Sequence, residues 1–217
     1  MCYSAMQAQA AKNDLMGLRF YARVQIDYGE TMIFPLGKMA FGRLSPEDGA
    51  REALLGQFGL VPPWIADDKD GPKFGRNCYN ARSETLFEKP SFKESIRLHR
   101  AVIPATAFFE FPDHEKPVKH RYKVTRRDKG SFWFAGLWAY NKKYDLTSCS
   151  IITTEPMDLV SKFHSRSPVI LDESQLEAWL DPALKDKGGI EPFLRPHSSE
   201  GFELEIEDWE AVRKKRT

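Results

Sequence analysis

Apolar and polar residues alternate with a period of two through much of this chain, the spacing that lays one face of a β-strand on a core. From Leu18 to Leu36, Phe20, Ala22, Val24 and Ile26, then Met32 and Phe34, alternate with polar positions around Asp27-Tyr28-Gly29, and predict a hairpin. Strand-like runs follow at residues 58–61, ended by Pro62-Pro63, and at 101–104, 108–111, 121–125, 132–140, 147–153 and 169–171. Phe202, Leu204 and Ile206 alternate with acids and predict an edge strand. Helical signals are short. The opening segment to Lys12 reads as a short helix or irregular arm, and Ser45-Pro46-Glu47-Asp48 predicts a helix over residues 50–55, with Ser at the N-cap and Pro at N1. Ser91 and Glu94 form a capping-box pattern before a helix ending near Arg100, Pro156 opens another through Phe163, and Asp172 with Gln175 caps a third that Pro182 stops. Residues 67–73 read as an exposed loop. Many short strands in succession predict an α+β fold: a single domain over residues 1–210 with a mainly antiparallel, barrel-like or sandwich β core flanked by short helices. Residues 211–217 are expected to be a disordered basic tail.

Length agrees with this picture, since 217 residues suffice for one domain with a full core, and no internal repeat or flexible linker divides them. The formal net charge of +1 conceals an uneven distribution. Residues 1–70 hold 7 Lys/Arg against 9 Asp/Glu, residues 71–143 hold 16 against 7, and residues 144–217 hold 9 against 15. The middle third is therefore basic, with Phe, Tyr and Trp between its charges. That combination suits a nucleic-acid backbone with aromatics stacking on bases, and suits a solvated basic face equally well. No apolar run reaches the length of a membrane span, and the start lacks the layout of a secretory signal, so a cytoplasmic protein is expected, and a monomer. Cys2, Cys78 and Cys149 lack CxxC spacing, and the five histidines form no metal-binding pattern, so neither a disulfide framework nor a metal or other cofactor is expected.

Candidate chemistry begins at Met1-Cys2. If the methionine is clipped, Cys2 becomes a 1,2-aminothiol, whose amine condenses with an aldehyde and whose thiol closes onto the imine to give a thiazolidine. The amine titrates at about 8 and the thiol at about 8.5, so both are usable nucleophiles near neutrality. Four polar clusters lie against element ends: Asn80-Ala81-Arg82-Ser83-Glu84, Glu110 within Phe108-Phe109-Glu110-Phe111, Thr153-Thr154-Glu155, and His164-Ser165-Arg166-Ser167-Pro168. Each also has a structural explanation: a solvent-facing Glu110, a helix-capping His164, a turn at Asn80.

Taken in order, Cys2, Phe58-Gly59-Leu60-Val61-Pro62-Pro63-Trp64, Asn80-Ala81-Arg82-Ser83-Glu84, Lys89-Pro90-Ser91-Phe92, Ile103-Pro104-Ala105, Phe108-Phe109-Glu110-Phe111, Phe134-Ala135-Gly136-Leu137-Trp138, Ile151-Ile152-Thr153-Thr154 and His164-Ser165-Arg166-Ser167-Pro168-Val169-Ile170-Leu171 resemble the SOS-response-associated peptidase (SRAP) family. The resemblance implies a shield for abasic sites, in which the N-terminal Cys crosslinks to the ring-opened sugar aldehyde in single-stranded DNA. It suggests Cys2 as nucleophile, Asn80 in the pocket, Glu110 as acid/base beside the terminal amine and His164 as a second proton donor. Arg82, Ser83, Thr154 and Arg166 are the corresponding DNA-binding candidates, with Trp64 as a stacking platform or wedge, although a core tryptophan fits that position as well. Two positions depart from the family pattern. Tyr3-Ser4 stands where Gly-Arg is usual, and the histidine motif reads His-Ser-Arg-Ser-Pro. Two other function classes fit the same residues: an N-terminal-nucleophile amidohydrolase built on Cys2, and a noncovalent single-strand binder whose cysteine is idle.

Overall fold

A five-stranded barrel closes where two strands distant in sequence meet side by side. The structure, a computed structural model, describes residues 4–7, 15–22, 31–66 and 71–214. Its strands are β1 (Ser4–Gln7), β2 (Tyr21–Ala22), β3 (Thr31–Ile33), β4 (Lys38–Leu44), β5 (Arg51–Phe58), β6 (Asn80–Arg82), β7 (Arg100–Ala105), β8 (Ala107–Glu110), β9 (His120–Arg126), β10 (Phe132–Asn141), β11 (Leu146–Thr154), β12 (Ser167–Pro168), β13 (Ile170–Leu171) and β14 (Phe202–Asp208). Strands β11, β10, β7, β4 and β5 pair in that order, and β5 then pairs in parallel with β11, Gln57 opposite Ser148 and Phe58 opposite Cys149, closing the ring. A second sheet runs β14-β9-β8-β1-β3. The fold is α+β, as the pattern predicts, with a barrel at its centre.

Strand β10 shows how the sequence builds two cores from one element. Phe132, Phe134 and Trp138 enter one apolar cluster together with Phe108 and Val124 of the second sheet, while Trp133, Ala135, Leu137 and Ala139 enter another with Leu176 and Trp179. Both faces are buried, so the strand reads as a nearly continuous apolar run. Helix Leu176–Leu180 lies over the second cluster, pinned by the Trp179 Nε1–H donating to Ala101 O at 2.9 Å. The capping box of Asp172 and Gln175 forms as predicted.

The predicted strands from residue 101 onward are found, and Phe202–Asp208 is an edge strand that, among the described residues, pairs only with β9. Several expectations are corrected. The opening segment contains β1, which is inserted between β8 and β3 and tied to the barrel by Gln7, whose Nε2 donates to Ala40 O and Pro104 O, each at 2.8 Å. The hairpin expected over residues 18–36 does not form between its described ends, since β2 pairs with β5 and β3 with β1; residues 23–30 lie outside the described ones. The helix expected at 50–55 is β5. Its start signals serve a turn instead: Gly49 N–H donates to Ser45 O, Ala50 N–H to the Asp48 carboxylate, and Gly49 takes φ +73°, so β4 and β5 pair as a hairpin. β5 ends at Phe58, so residues 59–61 are not strand. Helix Ser95–Leu98 has Glu94 at its N-cap without a side-chain cap hydrogen bond, so the Ser91 capping box does not form. Of the loop expected at 67–73, residues 67–70 lie outside the described ones and Gly71–Asn77 is a 3-10 segment. Residues 211–214 of the expected tail belong to helix Trp209–Lys214, and 215–217 lie outside the described residues.

Candidate functional site

Period-two alternation along β8 sends Phe108 into the core, where its ring meets Phe132 and Phe134 edge-on, and two residues later sends Glu110 to the same side. Glu110 is 0% exposed. Across the ladder it faces Tyr122, whose ring stacks on Phe163 at 3.8 Å between centroids. Burial disfavours the carboxylate form and pushes the Glu110 carboxyl up to about 8. At neutral pH it is therefore a buried acid that still holds its proton.

Phe163 leads directly into His164. Helix Asp158–Ser161 ends here, with His164 N–H donating to Val160 O at 3.0 Å, and the imidazole turns inward to 6% exposure. His164 Nε2 lies 3.7 Å from Glu110 Oε2 and 3.2 Å from Asp113 Oδ1. The other nitrogen, Nδ1, is 2.8 Å from Arg166 O and 3.1 Å from Arg166 N. Burial holds the imidazole below its usual range, while the hydrogen bond to Arg166 O and then the Asp113 carboxylate work in the opposite direction. The sequence pattern singles out Glu110 and His164, and the fold brings them together from residues 54 apart in the chain. It does not single out Asp113, whose only local signal is the Pro112-Asp113 turn after β8.

Asn80 opens β6 and is buried. It owes its position to the seam of the barrel, where β11 is shared by two strands along one edge: β5 pairs with Ser148 and Cys149, and β6 with Ile151, Ile152 and Thr153. Arg82, exposed at the end of β6, stands opposite Thr153. Ser83 Oγ meets Thr154 Oγ1 at 3.3 Å, and Thr154 Oγ1 donates to Leu194 O at 2.8 Å. Arg166 joins this group, its Nη2 donating to Thr153 O at 2.6 Å and to Glu84 Oε2 at 3.0 Å. Asn80, Arg82, Ser83, Thr154 and Arg166 thus gather around the end of β11. Trp64 does not join them. Its loop is held by Asn141 Nδ2, which donates to Pro62 O and Ile65 O beside the β10–β11 connection, roughly 25 Å along β11 from Thr154. There it is 54% exposed, with its ring edge-on to Phe74, which sets aside the core reading.

Cys2 lies outside the described residues. The strand nearest to it in sequence, β1, starts at Ser4, which stands opposite Phe109 and therefore next to Glu110 in the ladder. Among the described residues no group of three or more His, Cys, Asp or Glu side chains is placed to hold a metal ion, and no helix is long and apolar enough to cross a membrane.

Comparisons with known proteins place the chain in a family. The chain is 36% identical over 150 residues to Abasic site processing protein YoqW of Bacillus subtilis, covering 68% of this chain and 65% of that one, so it spans about two thirds of that relative's length. To Abasic site processing protein HMCES of Rattus norvegicus it is 32% identical over 155 residues, which is 58% of this chain and 44% of that one. A crystal structure of a Bacteroides thetaiotaomicron protein superposes with a TM-score of 0.84 at 24% identity, over 98% of this chain and 94% of that one, and shares the fold. The family model described as SOS response associated peptidase (SRAP) matches residues 15–211, a span that includes Asn80, Glu110 and His164 and leaves out Cys2, and the chain belongs to that family.

Proposed function

We propose that this protein processes abasic sites in single-stranded DNA by forming a covalent thiazolidine through Cys2 once Met1 is removed. The observation that carries the reading is the buried pair of Glu110 and His164 beside the first residue of β1, the strand that Cys2 precedes by two positions. The names of its relatives, abasic site processing proteins, support the same substrate.

The chemistry asks for proton donors and acceptors in sequence. The abasic sugar is mostly a closed hemiacetal, and opening it to the aldehyde moves one proton off the anomeric hydroxyl and another onto the ring oxygen. The amine then adds to the carbonyl and the carbinolamine loses water, which needs an acid; the thiol adds to the resulting imine carbon while its proton passes to nitrogen. Glu110, protonated near neutrality, serves first as the acid that releases water from the carbinolamine, and the carboxylate left behind then takes the proton from the iminium nitrogen and returns to its acid form. His164 donates to the sugar oxygen during ring opening, and Asn80 orients the sugar without changing charge. Arg82, Ser83 and Thr154 at the end of β11, with Arg166, contact the backbone, and Trp64 stacks on a base farther along the strand.

An oligonucleotide with one abasic site, incubated with the protein and run on a denaturing gel, tests this. A heat-stable adduct is expected without reductant, and Cys2→Ser is expected to leave only an adduct that borohydride must trap. Glu110→Gln and His164→Ala are expected to slow adduct formation about a hundredfold each while DNA binding holds. Binding without any adduct from protein shown by mass spectrometry to begin at Cys2 would instead support the noncovalent reading.

A further inference from the structure

We propose that Asp113 is a positioning residue for the reaction above: its carboxylate holds the His164 imidazole in the tautomer that carries its proton on Nε2, the nitrogen facing Glu110. The inference rests on the proposed function for its catalytic meaning but on geometry for its content.

The backbone around Nδ1 does not choose a tautomer. Arg166 offers that nitrogen an N–H donor at 3.1 Å and a C=O acceptor at 2.8 Å, so Nδ1 can accept from one or donate to the other. The choice falls to Nε2. An ionised carboxylate only accepts hydrogen bonds, so Asp113 Oδ1 at 3.2 Å favours a proton on Nε2 and repels a lone pair there. Glu110 Oε2 stands beyond it at 3.7 Å and, holding its own proton near neutrality, does not compete as an anion.

Asp113 is itself fixed and kept charged. Its N–H donates to Phe163 O at 3.0 Å, and its Oδ2 accepts from Ser165 N–H at 2.9 Å, a clasp between the turn after β8 and the histidine loop. Partial burial raises the Asp113 carboxyl, but the Ser165 hydrogen bonds and the His164 charge outweigh it and leave the group below its usual range. Among the described residues, the ionisable groups acting on the imidazole are Glu110 from β8, Asp113 from the following turn and Arg166 from its own loop. The Asp113 side chain is 52% exposed, so its pull is damped by solvent and salt.

The test reads His164 directly, in DNA-free protein, by nitrogen-15 NMR of the imidazole. Wild type above the imidazole midpoint is expected to show the Nε2–H tautomer, and a predominant Nδ1–H tautomer would overturn the proposal without any variant. Asp113→Asn keeps an oxygen for Ser165 N–H but loses the charge. It is expected to shift population toward Nδ1–H, to lower the His164 midpoint, and to slow crosslinking about three- to tenfold at pH 7.5 with recovery at lower pH. Asp113→Glu is expected to restore part of both. An Asn variant with wild-type tautomer and midpoint would reduce Asp113 to a loop clasp. Failure of wild type to crosslink, with the NMR result as expected, would sink the proposed reaction and leave the tautomer assignment standing.

Discussion

A carboxyl with no solvent exposure is costly to ionise, and Glu110 occupies such a position on the core side of β8. Its proton is held to about pH 8 in the fold against about 4.3 in an unfolded chain, so between those values the folded state binds more protons. Stability from this group is then fully present below about pH 4.3 and lost as pH rises through 8, opposite in sign to a salt-bridged carboxylate. Denaturant melts from pH 5 to 9 are expected to show wild type losing on the order of a few kcal/mol relative to Glu110→Gln, whose curve lacks this component. Equal pH slopes in the two proteins would place the Glu110 titration elsewhere. Glu110 is legible in sequence as a candidate, because a lone acid alternating with phenylalanines faces either water or a buried site. Asp113 is not legible, because its partner Ser165 lies 52 residues away and only the folded loops bring them together.

Elements were legible where periodicity decides and illegible where partners decide. Strands β7 to β11 follow from their apolar runs, whereas β1 has a polar, small-residue sequence and is a strand only because β8 and β3 offer it two open edges. The same dependence governs β6. The chain leaves β5 at Gly59 and returns past Gly75 so closely that a Cβ on Gly59 would collide with the Gly75 carbonyl, and Gly59 has φ +131°. Only glycine fits that crossing, which sets where Cys78 reaches back to Leu60 and so where Asn80 enters the seam of the barrel. Gly59→Ala is expected to cost about 3 kcal/mol from backbone strain and overpacking together, roughly 6–12 °C in melting temperature. It is also expected to displace β6, so thermal shift and crosslinking rate are expected to fall together; a melting point within a degree of wild type would contradict the steric argument.

Across the whole molecule the uneven charge is partly resolved by the fold. Strand β14, from the acidic last third, pairs with β9 from the basic middle third, setting Lys123 against Glu205 at 3.3 Å and pairing Arg121 with Glu207 and Lys129 with Glu203. Those cations are answered internally, so the positive charge left free in the middle third is smaller than its composition suggests. Binding to single-stranded DNA is expected to exceed binding to blunt duplex and to fall with salt, with a log–log slope of a few counterions; Arg82→Ala is expected to reduce that slope by about one and Lys123→Ala to leave it unchanged. Salt-independent binding would remove DNA from the account. Strand β1 takes its place late in synthesis. Its Met6 carbonyl accepts from Thr106, a partner 100 residues later, so the head of the chain cannot be seated until about half of it has been made. At about 5–20 residues per second that leaves on the order of 5–20 s of synthesis before β1 can be closed into the sheet.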